Sequence, residues 1–181
     1  MAKTKGDKIS MEELGRKSIE EFKKASKIPV VVVLDDIRSL HNIGSVFRTA
    51  DAFAVERIIL CGITAQPPHR EIQKAALGAT ESVQWSYNSN CLDAVNGLRI
   101  SGYTILGIEQ VEGSVNLANA QVFNESKLAL IFGNEVKGVT QSVLDACDDF
   151  IEIPQDGTKH SLNISVSVGV VLWELFRKFK A

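Results

Sequence analysis

Val30-Val-Val-Val-Leu-Asp-Asp36, followed by Asn42-Ile-Gly-Ser-Val-Phe-Arg-Thr-Ala50, decides the fold class. An unbroken β-branched run suits a strand buried on both faces, which is how strands sit in parallel α/β sheets. The run stops at two acids, and helical spacing follows. A strand that ends in polar residues and turns into a helix places free helix N–H groups, with Asn42 and Arg48, at the strand's carboxyl edge. In open α/β sheets ligands bind at that edge.

Outward from this unit the pattern repeats. Ser10 to Ala25 predicts an amphipathic helix with Met11, Leu14, Ile19 and Phe22 on its apolar side, and Pro29 punctuates before the strand. Downstream, strands are expected at Arg57 to Cys61, Ser82 to Trp85, Tyr103 to Ile108, Leu128 to Phe132 and Phe150 to Ile153. Helices are expected at Ile43 to Ala54, Arg70 to Leu77, Cys91 to Ile100 and Thr140 to Ala146. Such alternation points to a mostly parallel sheet covered by helices on both faces. Near the end, Leu162, Ile164, Val166, Val168 and Val170 alternate as a strand would. Continuing to Leu172, Leu175, Phe176 and Phe179 restores helical spacing, which favours one long terminal helix with Ser161 as its N-cap.

The 181 residues, 45% hydrophobic and 23% charged, suit one domain behind a short basic leader. Residues 1–27 carry a local surplus of +3 on a chain of net charge −2, and Arg177, Lys178 and Lys180 make the other end basic too. Phosphate binding depends on local surface charge, so an RNA partner is compatible with the acidic total. Apolar runs are too short to span a bilayer, and the polar N-terminus is unlike a signal peptide; a soluble cytoplasmic protein is expected. Cys61, Cys91 and Cys147 are too widely spaced for a zinc site and read as reduced, mostly buried residues. No metal is expected.

The usual dinucleotide, P-loop, zinc-protease and hydrolase signatures are absent. Three clusters remain, each directly after a strand: Asn42 to Ala50, Gly133-Asn-Glu-Val-Lys-Gly138, and Pro154 to Asn163. Strand-terminal loops rich in glycine and small polar groups converge on one crevice at the sheet's carboxyl edge.

In order and spacing these clusters resemble the three motifs of the SpoU/TrmH branch of the SPOUT RNA methyltransferases. The first is Asn42-x-Gly44 with Arg48-Thr-Ala50, and the second Phe132-Gly-Asn-Glu135-x-x-Gly138. The third is Ile153-Pro154 with Ser161-Leu-Asn163-x-Ser165-Val166. Lys74 to Val83, KAALGATESV, is similar to a segment of ribosomal-RNA members. The resemblance covers roughly residues 28–178, so 28–181 is expected to be the SPOUT domain and 1–27 a basic helical extension.

What the resemblance implies is an α/β fold with a C-terminal deep trefoil knot, giving Gly133, Gly138 and Gly157 a place among tightly passing loops. It further implies a homodimer, to which Trp173 and Phe176 on the terminal helix would contribute, and methylation of a ribose 2′-hydroxyl of tRNA or rRNA with S-adenosyl-L-methionine. Ile108, Gly133, Ile153 and Leu162 would hold the cofactor. Arg48 would stabilise the developing alkoxide and anchor phosphate, because a guanidinium stays protonated at neutral pH. Asn42 would fix Arg48 or the ribose, or cap the following helix. Glu135 would pair with Arg48 or a neighbouring cation, and Ser161 and Asn163 would orient ribose and cofactor. Arg70 and Lys74 are candidates for phosphate contact, His160 for RNA contact, and His41 for trimming its loop. Two other classes stay open: a non-catalytic RNA-binding protein on the same fold, and a doubly wound nucleotide-binding enzyme without the knot.

Overall fold

The valine run becomes the third strand of a seven-stranded, wholly parallel sheet in the computed structural model, which describes residues 5–10, 13–120 and 127–180. In chain order the elements are α1 (Ile19–Lys24), β1 (Ile28–Asp35), α2 (Leu40–Ala52), β2 (Val55–Cys61), α3 (Arg70–Ala76), α4 (Ala79–Ser82) and β3 (Gln84–Asn88). Next come α5 (Cys91–Ile100), β4 (Thr104–Ile108), β5 (Val115–Asn116), β6 (Leu128–Phe132), α6 (Gln141–Leu144), β7 (Asp149–Glu152) and α7 (Ile164–Lys180). Across the sheet the order is β3-β2-β1-β6-β4-β7-β5, so two late strands lie between earlier ones.

Why β1 is apolar from Ile28 to Leu34 follows from its two covers. Val30, Val32 and Leu34 join one core with α2, α3 and α7, while Val31 and Val33 join a second with α5 and α6. Register aligns the carboxyl ends: Leu34 lies opposite Phe132, Gly107 opposite Ile131 and Ile108 opposite Ile151. The loops that leave these ends therefore start side by side.

Three expectations are corrected. The first helix spans only Ile19–Lys24, because the chain breaks at Gly15, φ +57°, and Ser18 starts α1 with a capping box to Glu21. Leu14 is consequently exposed; Met11 lies outside the described residues. Ser82 belongs to α4 rather than a strand, since its hydroxyl donates to Asp51 on α2, and the strand runs from Gln84 to Asn88. Ser161 is not the cap of α7. Asn163 fills that place, its Oδ1 accepting from Ser165 N (2.9 Å) and its carbonyl from Ser167 N (2.9 Å).

The alternating apolar pattern of the last segment has a helical origin. Ile164, Val168, Val171 and Leu175 form a buried stripe, while Leu162, Val166, Val170 and Trp173 form a second stripe that stays exposed. Interleaved in sequence, two helical stripes mimic a strand.

Gly44 sets how closely α3 approaches α2. A Cβ there would lie 2.6 Å from Ala75 Cβ and 3.1 Å from Ala76 N, with the Ile72 carbonyl equally close. Gly44→Ala is expected to force the helices apart and cost about 1–3 kcal/mol in urea unfolding; an unchanged midpoint would show that the contact yields freely.

Candidate active site

Side chains at the carboxyl edge stitch the β1–α2 loop to the loop after β6. Asp35, 2% exposed, accepts from Thr140 N (3.1 Å) and Thr140 Oγ1 (3.0 Å) through Oδ2. Asn134 Nδ2 donates to the Asp36 carbonyl (2.7 Å). Glu135 collects three donors: Arg38 N (3.1 Å), Ser39 N (3.1 Å) and Asn42 Nδ2 (3.2 Å). Asn42 Oδ1 in turn accepts from Asn163 Nδ2 (3.1 Å). One residue from each of the three clusters is thus joined in a hydrogen-bonded chain, Glu135–Asn42–Asn163.

Beside this chain lies a cavity of about 700 Å³. Ile108, Ile153 and Leu162 supply apolar wall, Gly133 and Gly138 the neck of the facing loop, and Ser161 and Asn163 a polar rim. The loop is closed by reciprocal bonds, Asn134 N to Gly138 O (3.0 Å) and Gly138 N to Asn134 O (2.9 Å). A Cβ on Gly133 would collide with the Gly138 and Val139 backbone, and Gly138 stands at φ +69°. Both positions therefore need glycine. Gly157 does not share that reason, because nothing within 4 Å would meet its Cβ.

Arg48 stands apart. It is exposed on α2, does not line the cavity, and makes no hydrogen bond or ion pair with a described residue. The expected Glu135–Arg48 pairing is replaced by the Arg38, Ser39 and Asn42 donors, which occupy the carboxylate. Asn42 is not a helix cap either: Ser39 Oγ caps α2, accepting from Asn42 N (3.3 Å), which frees the buried Asn42 amide to bridge. Among the histidines, His160 lines the cavity, His69 caps α3 by accepting from Glu71 N (3.2 Å), and His41 lies 3.5 Å from Glu71 on the surface. Arg70 and Lys74 are exposed on α3.

Sequence reasoning did not identify Ser39, Thr140 or Glu109 as members of this edge, and gave Asn134 no role of its own within its cluster. Their signal was position alone, since each follows a strand at the same end of the sheet. Asp35 and Asp36 were noted only as the point where the strand stops. None of the three cysteines lines the cavity. Burial, with Asp148 nearby, pushes the Cys147 thiol up to about 12, and neighbouring Cys61, burial and Asp35 push Cys91 up as well. Among the described residues no cluster of His, Cys, Asp and Glu is arranged to hold a metal.

Comparison with known proteins places this geometry. Residues 29–173 match the model of the SpoU rRNA Methylase family. A Staphylococcus aureus (strain MSSA476) protein named for the TrmH family of tRNA/rRNA methyltransferases is 31% identical over 160 residues, covering 88% of this chain and 63% of the relative. The chain thus spans less than two thirds of the length of that relative. Among solved structures, the AdoMet-bound rRNA methyltransferase from Sinorhizobium meliloti superposes with a TM-score of 0.78 at 27% identity, over 87% of this chain and 60% of that one. The A. aeolicus TrmH/SpoU tRNA modifying enzyme shares the fold, with a TM-score of 0.79 at 23% identity over 90% and 81% of the two chains.

Burial raises the Glu135 carboxyl, but hydrogen bonds from its own backbone, Arg38, Ser39 and Asn42 outweigh it and hold the group below its ordinary 4.5. A lowered folded-state value lends stability that is complete above about pH 5 and is lost as the pH falls through that value. The stability difference between wild type and Glu135→Gln is expected to shrink on acidification in urea titrations. A difference that grows toward low pH would contradict the assignment.

Proposed function

The chain belongs to the SpoU rRNA Methylase family, and from that premise we propose that it is an S-adenosyl-L-methionine-dependent RNA methyltransferase acting on a ribose 2′-hydroxyl. The observation that carries this reading is the cavity walled by the second and third clusters and tied to the first through Asn42. Its volume, about 700 Å³, suits a nucleoside-sized ligand. Glycine at the neck lets the loop close tightly beside the cavity, and Ile108, Ile153 and Leu162 offer an apolar slot for an adenine. These residues would hold the cofactor, which when bound supplies an electrophilic methyl group on a sulfonium.

The rest of the chemistry falls to this chain's own side chains. A ribose hydroxyl is a poor nucleophile near neutral pH, so the site must align it and stabilise its developing charge. Ser161 and Asn163, at the rim, orient the ribose. Asn42 and Glu135 fix Asn163 and the loop, positioning rather than reacting. Arg48 stabilises the alkoxide and grips a phosphate, a role consistent with a guanidinium that no described residue neutralises. Arg70 and Lys74 extend that cationic surface along α3, and the basic residues 1–27 add a phosphate-gripping arm.

Arg48 lies outside its own cavity, which supports a site completed by a second copy. The exposed stripe Leu162, Val166, Val170 and Trp173 begins at the cavity and runs along α7, with Trp173 packed on Phe53 (6.1 Å) and Phe176 (6.4 Å). An apolar stripe continuous with the site suits a homodimer seam. The insertion of β6 between β1 and β4, and of β7 between β4 and β5, supports a C-terminal part that threads as a trefoil knot. The substrate is tRNA or rRNA, met in the cytoplasm.

Labelled methyl transfer to total RNA lacking the modification, then fractionation and nucleoside analysis, tests the reading. Label is expected on the sugar of a tRNA or rRNA nucleotide; label on a base overturns the reaction. Arg48→Ala is expected to lower kcat by about 100-fold or more while calorimetric cofactor affinity stays within about threefold. A collapse of cofactor affinity instead would place Arg48 inside the donor pocket.

A further inference from the structure

Glu109 is the first residue after β4 and lines the cavity. Its backbone N–H donates to the Ile151 carbonyl on β7 (3.1 Å). Its Oε1 accepts from Gln110 N (3.1 Å), which fixes the carboxylate, and its Oε2 accepts from Val139 N (3.1 Å). Val139 directly follows the neck of the Gly133–Gly138 loop. The carboxylate approaches Gly138 so closely that a Cβ there would collide with Oε2. Three walls of the cavity meet at this one residue: it continues β4, its backbone N–H holds β7, and its carboxylate holds the glycine loop.

The loop is then suspended between two carboxylates. Glu135 ties its tip to the start of α2, and Glu109 ties its neck to the end of β4. We propose that Glu109 is a positioning residue of the donor pocket, acting as a hydrogen-bond acceptor that clamps the neck of the glycine loop. This rests on the reading of the cavity as the cofactor site. The clamp needs an acceptor oxygen facing Val139 N rather than a charge, so glutamine, which keeps one acceptor for that N–H and gives up only the one facing Gln110 N, should preserve most of it and alanine none.

Two measurements on the full chain test this. In Glu109→Ala, hydrogen exchange across 133–139 is expected to accelerate at least about tenfold relative to wild type, with the rest of the sheet unchanged. Glu109→Gln should stay within about threefold of wild-type exchange, well short of the alanine change. Calorimetry with S-adenosyl-L-homocysteine, which has no sulfonium charge and so reports loop shape, should show affinity about tenfold weaker in Glu109→Ala and within about threefold of wild type in Glu109→Gln. Unchanged loop exchange in Glu109→Ala, or a glutamine variant as impaired as alanine, overturns the clamp. Wild-type protein that fails to bind the probe refutes the cofactor reading instead, and the exchange comparison still decides the clamp.

Discussion

The Glu135 carboxylate is the point on which the site's geometry depends. It sits at the tip of a glycine loop and accepts from Arg38 N, Ser39 N and Asn42 Nδ2, donors that lie at the entry to α2. A helix entry leaves N–H groups without intrahelical partners, and groups this close to a sheet edge need partners from elsewhere. Here a residue from the far side of the sequence meets that need. The tie extends through Asn42 to Asn163, whose backbone and side chain start α7. Local demands for hydrogen bonds in three loops are thus met by one another, and their mutual satisfaction draws the loops together.

Register does the remaining placement. Parallel pairing brings Leu34 beside Phe132 and Ile108 beside Ile151, so the chain leaves β1, β6, β4 and β7 at one level. The cavity lies among the exits of β4, β6 and β7, next to that of β1. Under the proposed reading two tasks are separated: the cavity, with apolar and polar walls, takes the donor, and the arginine exposed on α2 serves the acceptor.

Much of this was legible in the sequence, and the limits have physical causes. The valine run, the helix Cys91–Ile100 and the strand Leu128–Phe132 were readable because burial imposes a period on side chains. The three clusters were readable because each follows a strand, and their order resembles a known family. What could not be read were partners. Nothing local distinguishes Glu135 bound to Arg48 from Glu135 bound to two backbone N–H groups and an amide. Asn42 looks like a cap because caps and bridges use the same residue types, and Ser39 three residues earlier took that role. The first helix was overdrawn because apolar spacing ignores a glycine that turns left-handed, as Gly15 does. The last helix was ambiguous because it has two apolar stripes, one for the core and one left on the surface.

A double-mutant cycle between Asn42→Ala and Glu135→Ala, measured as free energy of urea unfolding, tests the central tie most directly. If the carboxylate and the amide are one structural element, the two losses should fall short of additivity by about 0.5–3 kcal/mol, because either change alone breaks the shared bond. Losses that add within about 0.3 kcal/mol would show two independent residues that merely stand close, and the account of how the three loops are gathered would fail.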